Sequence, residues 1–291
     1  MSRKIGVVGA GLMGSEIALV FALAGHDVLL NDRDQPALDQ ALARLQTLLE
    51  KGVARGFYTQ DQIKPTLGRI TPTLDLAAFA DRDLVTEAVF ESAELKMELL
   101  RRLDGIVAAG CLIASNTSTI PISTLAGALP ADRRGRFLGT HYFSPVSRMK
   151  LVEVIPGFDT SANTLGNALT IMAEIGKTPI KVKDVAGFAV NRMLHMFIIE
   201  AVKLVEEGVA TPEDLDTACR LGLGHPIGPF ALMDAVTSNL CVQAQEIMQE
   251  AYGERFRPPA LLKQRVRAGY GGGKGRPGWL TAERIARAAN R

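Results

Sequence analysis

Lys4-Ile5-Gly6-Val7-Val8-Gly9-Ala10-Gly11-Leu12-Met13-Gly14, followed by Val28-Leu29-Leu30-Asn31-Asp32, decides the fold. A short apolar run reads as a buried strand, and it passes straight into a GxGxxG turn from which a helix continues through Met13 to Ala24. Each glycine has its own task. Gly9 allows the tight turn, Gly11 lets the backbone approach a pyrophosphate with no Cβ in the way, and Gly14 lets the helix pack closely on the strand. The helix start offers free N–H groups and a positive dipole end to an anion, with Leu12 and Met13 in its first turn. Asp32 closes the second strand 18 residues after Gly14, where a ribose-binding carboxylate belongs. A carboxylate there accepts from both ribose hydroxyls and repels a 2′-phosphate, which favours NAD; Arg33 beside it leaves NADP open.

Working outward, strands at 84–86, 112–114, 137–139 and 151–155 alternate with helices at 36–51 and 93–108. Such alternation predicts an α/β fold, a Rossmann-type, mostly parallel sheet domain covering 1–184. From Phe188 to Glu207 the apolar spacing turns helical, Gly208 stops it, and Thr211-Pro212-Glu213-Asp214 opens the next helix with a Thr cap and Pro at its first position. Further helices are expected at 229–251 and 259–268, before a glycine-rich segment at Gly269 to Gly278, so 185–291 reads as an all-helical C-terminal domain.

Composition narrows the function classes. Across 291 residues, 33 Lys+Arg nearly balance 31 Asp+Glu for a net +2, which gives no charge stripe for nucleic acid. Hydrophobic residues at 47% exclude intrinsic disorder. The longest uncharged apolar stretches fall short of the ~20 residues a membrane span needs. Cys111, Cys219 and Cys241 lie far apart without CxxC spacing, so neither a disulfide framework nor a zinc site is expected and no metal is assigned. The chain reads as soluble and cytoplasmic.

What is bound does not say what is done. Ser115-Asn116-Thr117-Ser118-Thr119 follows a strand and so lies at the carboxyl edge of the sheet, where ligands bind in such folds. His141 ends another strand, and of the four histidines it alone sits where substrate should be. Glu153 stands inside the apolar run Leu151-Val152-Glu153-Val154-Ile155, and a buried carboxylate needs a partner. His141 is the simplest one. An imidazole oriented by a carboxylate is a sound base for lifting a proton from an alcohol as hydride leaves its carbon.

Thr86-Glu87-Ala88-Val89-Phe90-Glu91, Ser115-Asn116-Thr117-Ser118, His141-Tyr142-Phe143-Ser144-Pro145-Val146, Met149-Lys150-Leu151-Val152-Glu153-Val154 and Gly187-Phe188-Ala189-Val190-Asn191-Arg192 follow the GxGLMG in order. Together they resemble the L-3-hydroxyacyl-CoA dehydrogenase family, of the short-chain 3-hydroxybutyryl-CoA type, over nearly the whole chain. The resemblance implies NAD-dependent oxidation of an (S)-3-hydroxyacyl-CoA, with His141 as base and Glu153 as the acid that orients it. It implies that Ser118 contacts the substrate's oxygen near the nicotinamide and that Asn191 holds the substrate's 3-oxygen. Glu91, Lys96, Ser144 and Lys274 fall on positions associated with the cofactor, as does Asp32, and Lys51 falls near a lysine that meets the CoA phosphates.

The chain departs from the family pattern in places. Ser144 stands where the family usually has Asn, 234–239 depart from the usual Asp-x-x-Gly-Leu-Asp, and the tail reads Gly273-Lys274-Gly275-Arg276-Pro277-Gly278-Trp279. These changes bear on substrate choice and C-terminal contacts. A homodimer through the helical domain is expected. Two rival readings remain: a dehydrogenase of the same superfamily acting on a free hydroxy acid such as a sugar acid, and a non-catalytic nucleotide-binding relative.

Overall fold

The computed structural model describes residues 2–280. The chain divides into two compact units, Met1–Phe188 and Ala189–Arg291. The boundary falls a few residues after the expected 184/185 for a physical reason. Asp184 accepts hydrogen bonds from the backbone N–H groups of Ile122 and Ser123, and Phe188 is buried in a core of the first unit. Of the expected helical domain, 281–291 lie outside the described residues.

The first unit is built on strands β1 (Lys4–Val8), β2 (Asp27–Asn31), β3 (Ile70–Thr73), β4 (Leu84–Glu87), β5 (Leu112–Ser115), β6 (Phe137–Tyr142), β7 (Leu151–Pro156) and β8 (Thr178–Lys181). They form one sheet in the order β3-β2-β1-β4-β5-β6-β7-β8. All neighbours pair in parallel except β6 with β7, which are antiparallel. Helices α1 (Leu12–Leu23), α2 (Gln35–Ala54), α3 (Gln60–Gly68), α4 (Ala93–Asp104), α5 (Ile122–Ala126), α6 (Ala131–Arg134) and α7 (Ala162–Glu174) also belong to this unit.

Alternate strand residues supply two cores. Ile5 and Val7 of β1, Leu84 of β4 and Leu112 of β5 join α1, α2 and α7 on one face, while Val8, Val85 and Ile113 join α4 and α5 on the other. Both faces are covered, so the strands read as near-continuous apolar runs. The chain turns from β1 toward β3 on one side and resumes at β4 on the other. The glycine turn after β1 therefore stands at a point where strand order reverses, the usual place for a ligand crevice.

The second unit holds α8 (Val190–Glu206), α9 (Pro212–Gly222), α10 (Pro229–Val236), α11 (Ser238–Tyr252) and α12 (Ala260–Arg267). Thr211 caps α9 as expected, its Oγ1 accepting from Asp214 N at 3.2 Å. The single helix expected over 229–251 is broken in two at Thr237, whose φ is 82°. Tertiary contacts override the local pattern there. Ser238 N donates to Gly271 O instead of to its own helix, and the Asp234 carboxylate takes Trp279 N at 2.8 Å and Leu280 N at 2.9 Å. The glycine-rich tail lies so close to α10 that a Cβ on Gly278 would sit 2.1 Å from Asp234 Oδ1.

Trp279 is the sequence's single tryptophan and is buried against Phe230, so it reports on this docking. Asp234→Ala leaves two amides without their charged acceptor and is expected to cost about 3 kcal/mol. The readout is a red-shifted Trp279 emission with a lower unfolding midpoint; unchanged fluorescence would show that Asp234 does not hold the tail.

Candidate active site

Gly9 has φ 102°, and a Cβ on Gly14 would lie 1.8 Å from Gly9 O, so strand, turn and helix pack as tightly as the glycine spacing implies. A Cβ on Gly11 would meet nothing within 4 Å, which leaves open room in front of the α1 start. No side chain caps that helix start, where Gly11 is the N-cap, Leu12 is exposed and Met13 half-buried. The amides of the first turn therefore face a space that suits an anion. Asp32 Oδ2 accepts from Ala10 N at 2.7 Å, so the ribose-binding candidate is tied to the turn it serves. Arg33 is exposed. These features fit a nicotinamide dinucleotide: the turn and helix start for the pyrophosphate, Asp32 for the adenosine ribose.

Sequence reasoning missed Arg44 on α2. Its Nη2 donates to Ala10 O at 3.0 Å, Gly11 O at 3.1 Å and Ser15 Oγ at 3.0 Å, bracing the glycine turn from outside. Nothing local in the sequence marks it.

β6 runs on to Tyr142, so His141 lies within the strand rather than at its end. In the antiparallel register His141 stands directly opposite Glu153. His141 Nδ1 and Glu153 Oε2 are 2.7 Å apart, and both residues are buried. The hydrogen bond fixes the tautomer: Nδ1–H donates to the carboxylate, and Nε2 is turned toward Ser118 Oγ at 3.2 Å. Phe143 meets the ring edge-on with centroids 4.6 Å apart, and Phe188 lies at 5.6 Å. By contrast His195, pushed down to about 4 by burial, is a neutral core residue.

Ser118 is held by a carboxylate. Glu91 Oε1 accepts from Ser118 N at 2.8 Å, Thr117 Oγ1 at 2.6 Å, Thr119 N at 3.0 Å and Thr119 Oγ1 at 3.2 Å. Burial works to raise the Glu91 carboxyl, but Lys96 and these hydrogen bonds outweigh it and hold the group below the usual carboxylate range. Lys96 does not reach the surface. It is fully buried, with Nζ on Glu87 Oε1 at 2.7 Å and Val89 O at 3.2 Å. That is a different setting from the cofactor contact implied by the resemblance. Ser144 is exposed, at a cis peptide to Pro145.

The structure thus brings Ser118, His141, Glu153 and Glu91 together at one sheet edge. Asn191, at the start of α8, and the exposed Lys274 belong to the second unit. Lys51 lines a separate cavity of about 800 Å³ in the first unit, with Arg44, Arg55, Phe57, Tyr58 and Arg148. The Arg148 guanidinium stacks 3.6 Å over the Phe57 ring there.

Residues 4–185 match the model of the 3-hydroxyacyl-CoA dehydrogenase NAD binding domain, and 187–282 match that of the same enzymes' C-terminal domain. The chain belongs to the 3-hydroxyacyl-CoA dehydrogenase family. It is an NAD-dependent oxidoreductase of that kind. It is 41% identical over 277 residues to a probable 3-hydroxybutyryl-CoA dehydrogenase of Deinococcus radiodurans, covering 95% of this chain and 99% of the relative. With the mitochondrial hydroxyacyl-coenzyme A dehydrogenase of Sus scrofa it shares 41% over 240 residues, 80% of this chain and 76% of that one. The crystal structure of (S)-3-hydroxybutyryl-CoA dehydrogenase from Ralstonia eutropha superposes with a TM-score of 0.90 at 36% identity, covering 97% of this chain and all of that one. Among the described residues no helix is long and apolar enough to cross a membrane.

Gly14→Ala is expected to separate strand from helix and to weaken NADH binding at least tenfold, with stability lowered by about 1–3 kcal/mol. Titration of NADH fluorescence and a thermal melt measure the two effects; wild-type NADH affinity would remove the glycine turn from the cofactor site.

Proposed function

We propose that the chain interconverts (S)-3-hydroxyacyl-CoA and 3-ketoacyl-CoA with a short acyl group, such as 3-hydroxybutyryl, and that His141 is its general acid–base. The observation that carries this reading is the Glu153–His141–Ser118 alignment, a buried carboxylate on one ring nitrogen and a hydroxyl facing the other. The short acyl chain rests on the similarity to the Deinococcus and Ralstonia 3-hydroxybutyryl-CoA dehydrogenases.

Bound NAD supplies the hydride acceptor for the substrate's C3. In oxidation His141 Nε2 takes the proton of the 3-hydroxyl, and Glu153 stabilises the imidazolium that forms. In reduction the same imidazolium returns that proton to the 3-oxygen. Ser118 Oγ, within hydrogen-bond reach of His141 Nε2, orients the substrate oxygen. The family resemblance makes Asn191, at the start of α8, a further candidate for substrate binding. The cavity lined by Arg44, Lys51, Arg55 and Arg148 is assigned the CoA phosphates, for which guanidinium groups are well matched. We assign the second unit to substrate binding and to a homodimer, because it exposes Met193, Leu221, Leu223 and Leu240. Light scattering that gives a monomer mass would remove the dimer.

His141→Gln is expected to lower kcat about 10²–10⁴-fold with NADH affinity little changed. The assay is NADH oxidation with acetoacetyl-CoA beside longer 3-ketoacyl-CoAs and free acetoacetate. Equal turnover of the free acid would favour the hydroxy-acid rival, and a collapse of NADH binding would make His141 structural. Because oxidation needs the neutral ring and reduction the charged one, the oxidation rate falls toward acid and the reduction rate toward alkali; superimposable pH profiles would overturn His141 as the proton carrier. Arg55→Glu is expected to raise KM for acetoacetyl-CoA about tenfold or more, leaving KM for NADH unchanged.

A further inference from the structure

Glu87 and Lys96 form an ion pair that the proposed chemistry does not use. Their side chains are 0% and 1% exposed, with Nζ 2.7 Å from Oε1. Desolvating two such charges is costly, so a buried pair is poor evidence of a stability device. What distinguishes this one is where its hydrogen bonds go. Glu87 Oε1 also accepts from Val89 N at 2.7 Å, and Oε2 accepts from Ser115 Oγ at 2.6 Å. Lys96 Nζ donates to Val89 O at 3.2 Å and lies 3.4 Å from Glu91 Oε2. Both charges thus act on the few residues between the end of β4 and Glu91. Ser115, the last residue of β5, precedes the loop that carries Ser118. Glu91 in turn accepts the four hydrogen bonds from Thr117, Ser118 and Thr119.

We propose that the buried Glu87–Lys96 pair is a positioning device for the reaction: it shapes 87–91 so that Glu91 holds the 117–119 loop with Ser118 Oγ facing His141 Nε2. Glu87 and Lys96 act through Glu91 and Ser118 and carry no proton or substrate themselves. The inference rests on the reading of His141 and Ser118 as the reacting pair. A hydroxyl displaced by about 1 Å from its working place costs up to 10²-fold in rate, so the effect of the pair falls on kcat.

The test is the double variant Glu87→Gln/Lys96→Met in the full-length protein, which removes both charges together and leaves neither buried alone. In the acetoacetyl-CoA assay kcat is expected to fall about tenfold to a hundredfold, with KM for acetoacetyl-CoA and for NADH within about twofold of wild type. In a Ser118→Ala background the same replacement is expected to cost less than about twofold more in kcat, because its route of action is already gone. Ser115→Ala removes one hydrogen bond from Glu87 and leaves the ion pair. This milder variant is expected to lower kcat a few-fold, again only when Ser118 is present, and it keeps the question answerable if the double variant does not fold.

Losses that multiply in the Ser118→Ala background would overturn the proposal. So would an unchanged kcat with a raised KM for NADH, which would make Lys96 a direct cofactor ligand. If His141→Gln retains its kcat, the reading of the site fails; if it loses kcat while the pair variant turns over like wild type, only this inference fails.

Discussion

The antiparallel return of β7 beside β6 places a carboxylate directly across from an imidazole inside the sheet. Opposed residues on neighbouring strands point to the same face with their Cβ atoms about 5 Å apart, so His141 and Glu153 meet without strain. Both side chains are buried. The carboxylate therefore binds the nearer ring nitrogen and leaves the other facing Ser118. A one-residue slip of this register would send one of the two side chains to the opposite face and dissolve the arrangement. The positions of Ser118, of the 117–119 loop and of the phenylalanines around the ring have meaning only against that fixed imidazole.

Loops at a sheet edge and the first turns of helices carry backbone N–H groups that neither ladder nor helix satisfies. In this protein carboxylates meet that need repeatedly. Asp32 takes Ala10 N, Glu91 takes Ser118 N and Thr119 N, Asp184 takes Ile122 N and Ser123 N, and Glu16 takes Ser147 N. The helical unit uses the same device, with Asp216 on Phe230 N and Ala231 N and Asp234 on Trp279 N and Leu280 N. Charge-assisted bonds of this kind are about twice as strong as neutral ones, which suits segments that must hold a shape with little packing of their own. The glycine turn, the Ser118 loop and the chain just beyond His141 are each kept in place by an acid from elsewhere in the sequence.

The rule that singled out Glu153, that a carboxylate in an apolar strand requires a partner, applies equally to Glu87 at the end of β4. Lys96 lies nine residues later, near enough in sequence to have been paired with it. The pairing signal is in the sequence, but the family resemblance gives Lys96 a cofactor position and so hides it. Arg44 is a different case. An arginine on an ordinary amphipathic helix carries no local mark of the glycine turn it braces.

Local physics is sufficient for what depends on neighbours in the chain: the glycine turn between β1 and α1, the acid closing β2, the Thr211 cap of α9 and the periodicity of α8. These follow from sterics, dipoles and side-chain spacing over a few residues, and so they could be read from the amino-acid order alone. Tertiary structure decided the rest. It set the register that joins His141 to Glu153 and the burial of Lys96, and it broke the expected helix at Thr237, where Asp234 and the glycine tail draw the chain off its helical course. Those outcomes depend on which distant groups compete for the same hydrogen bonds, and that competition exists only once the chain is folded.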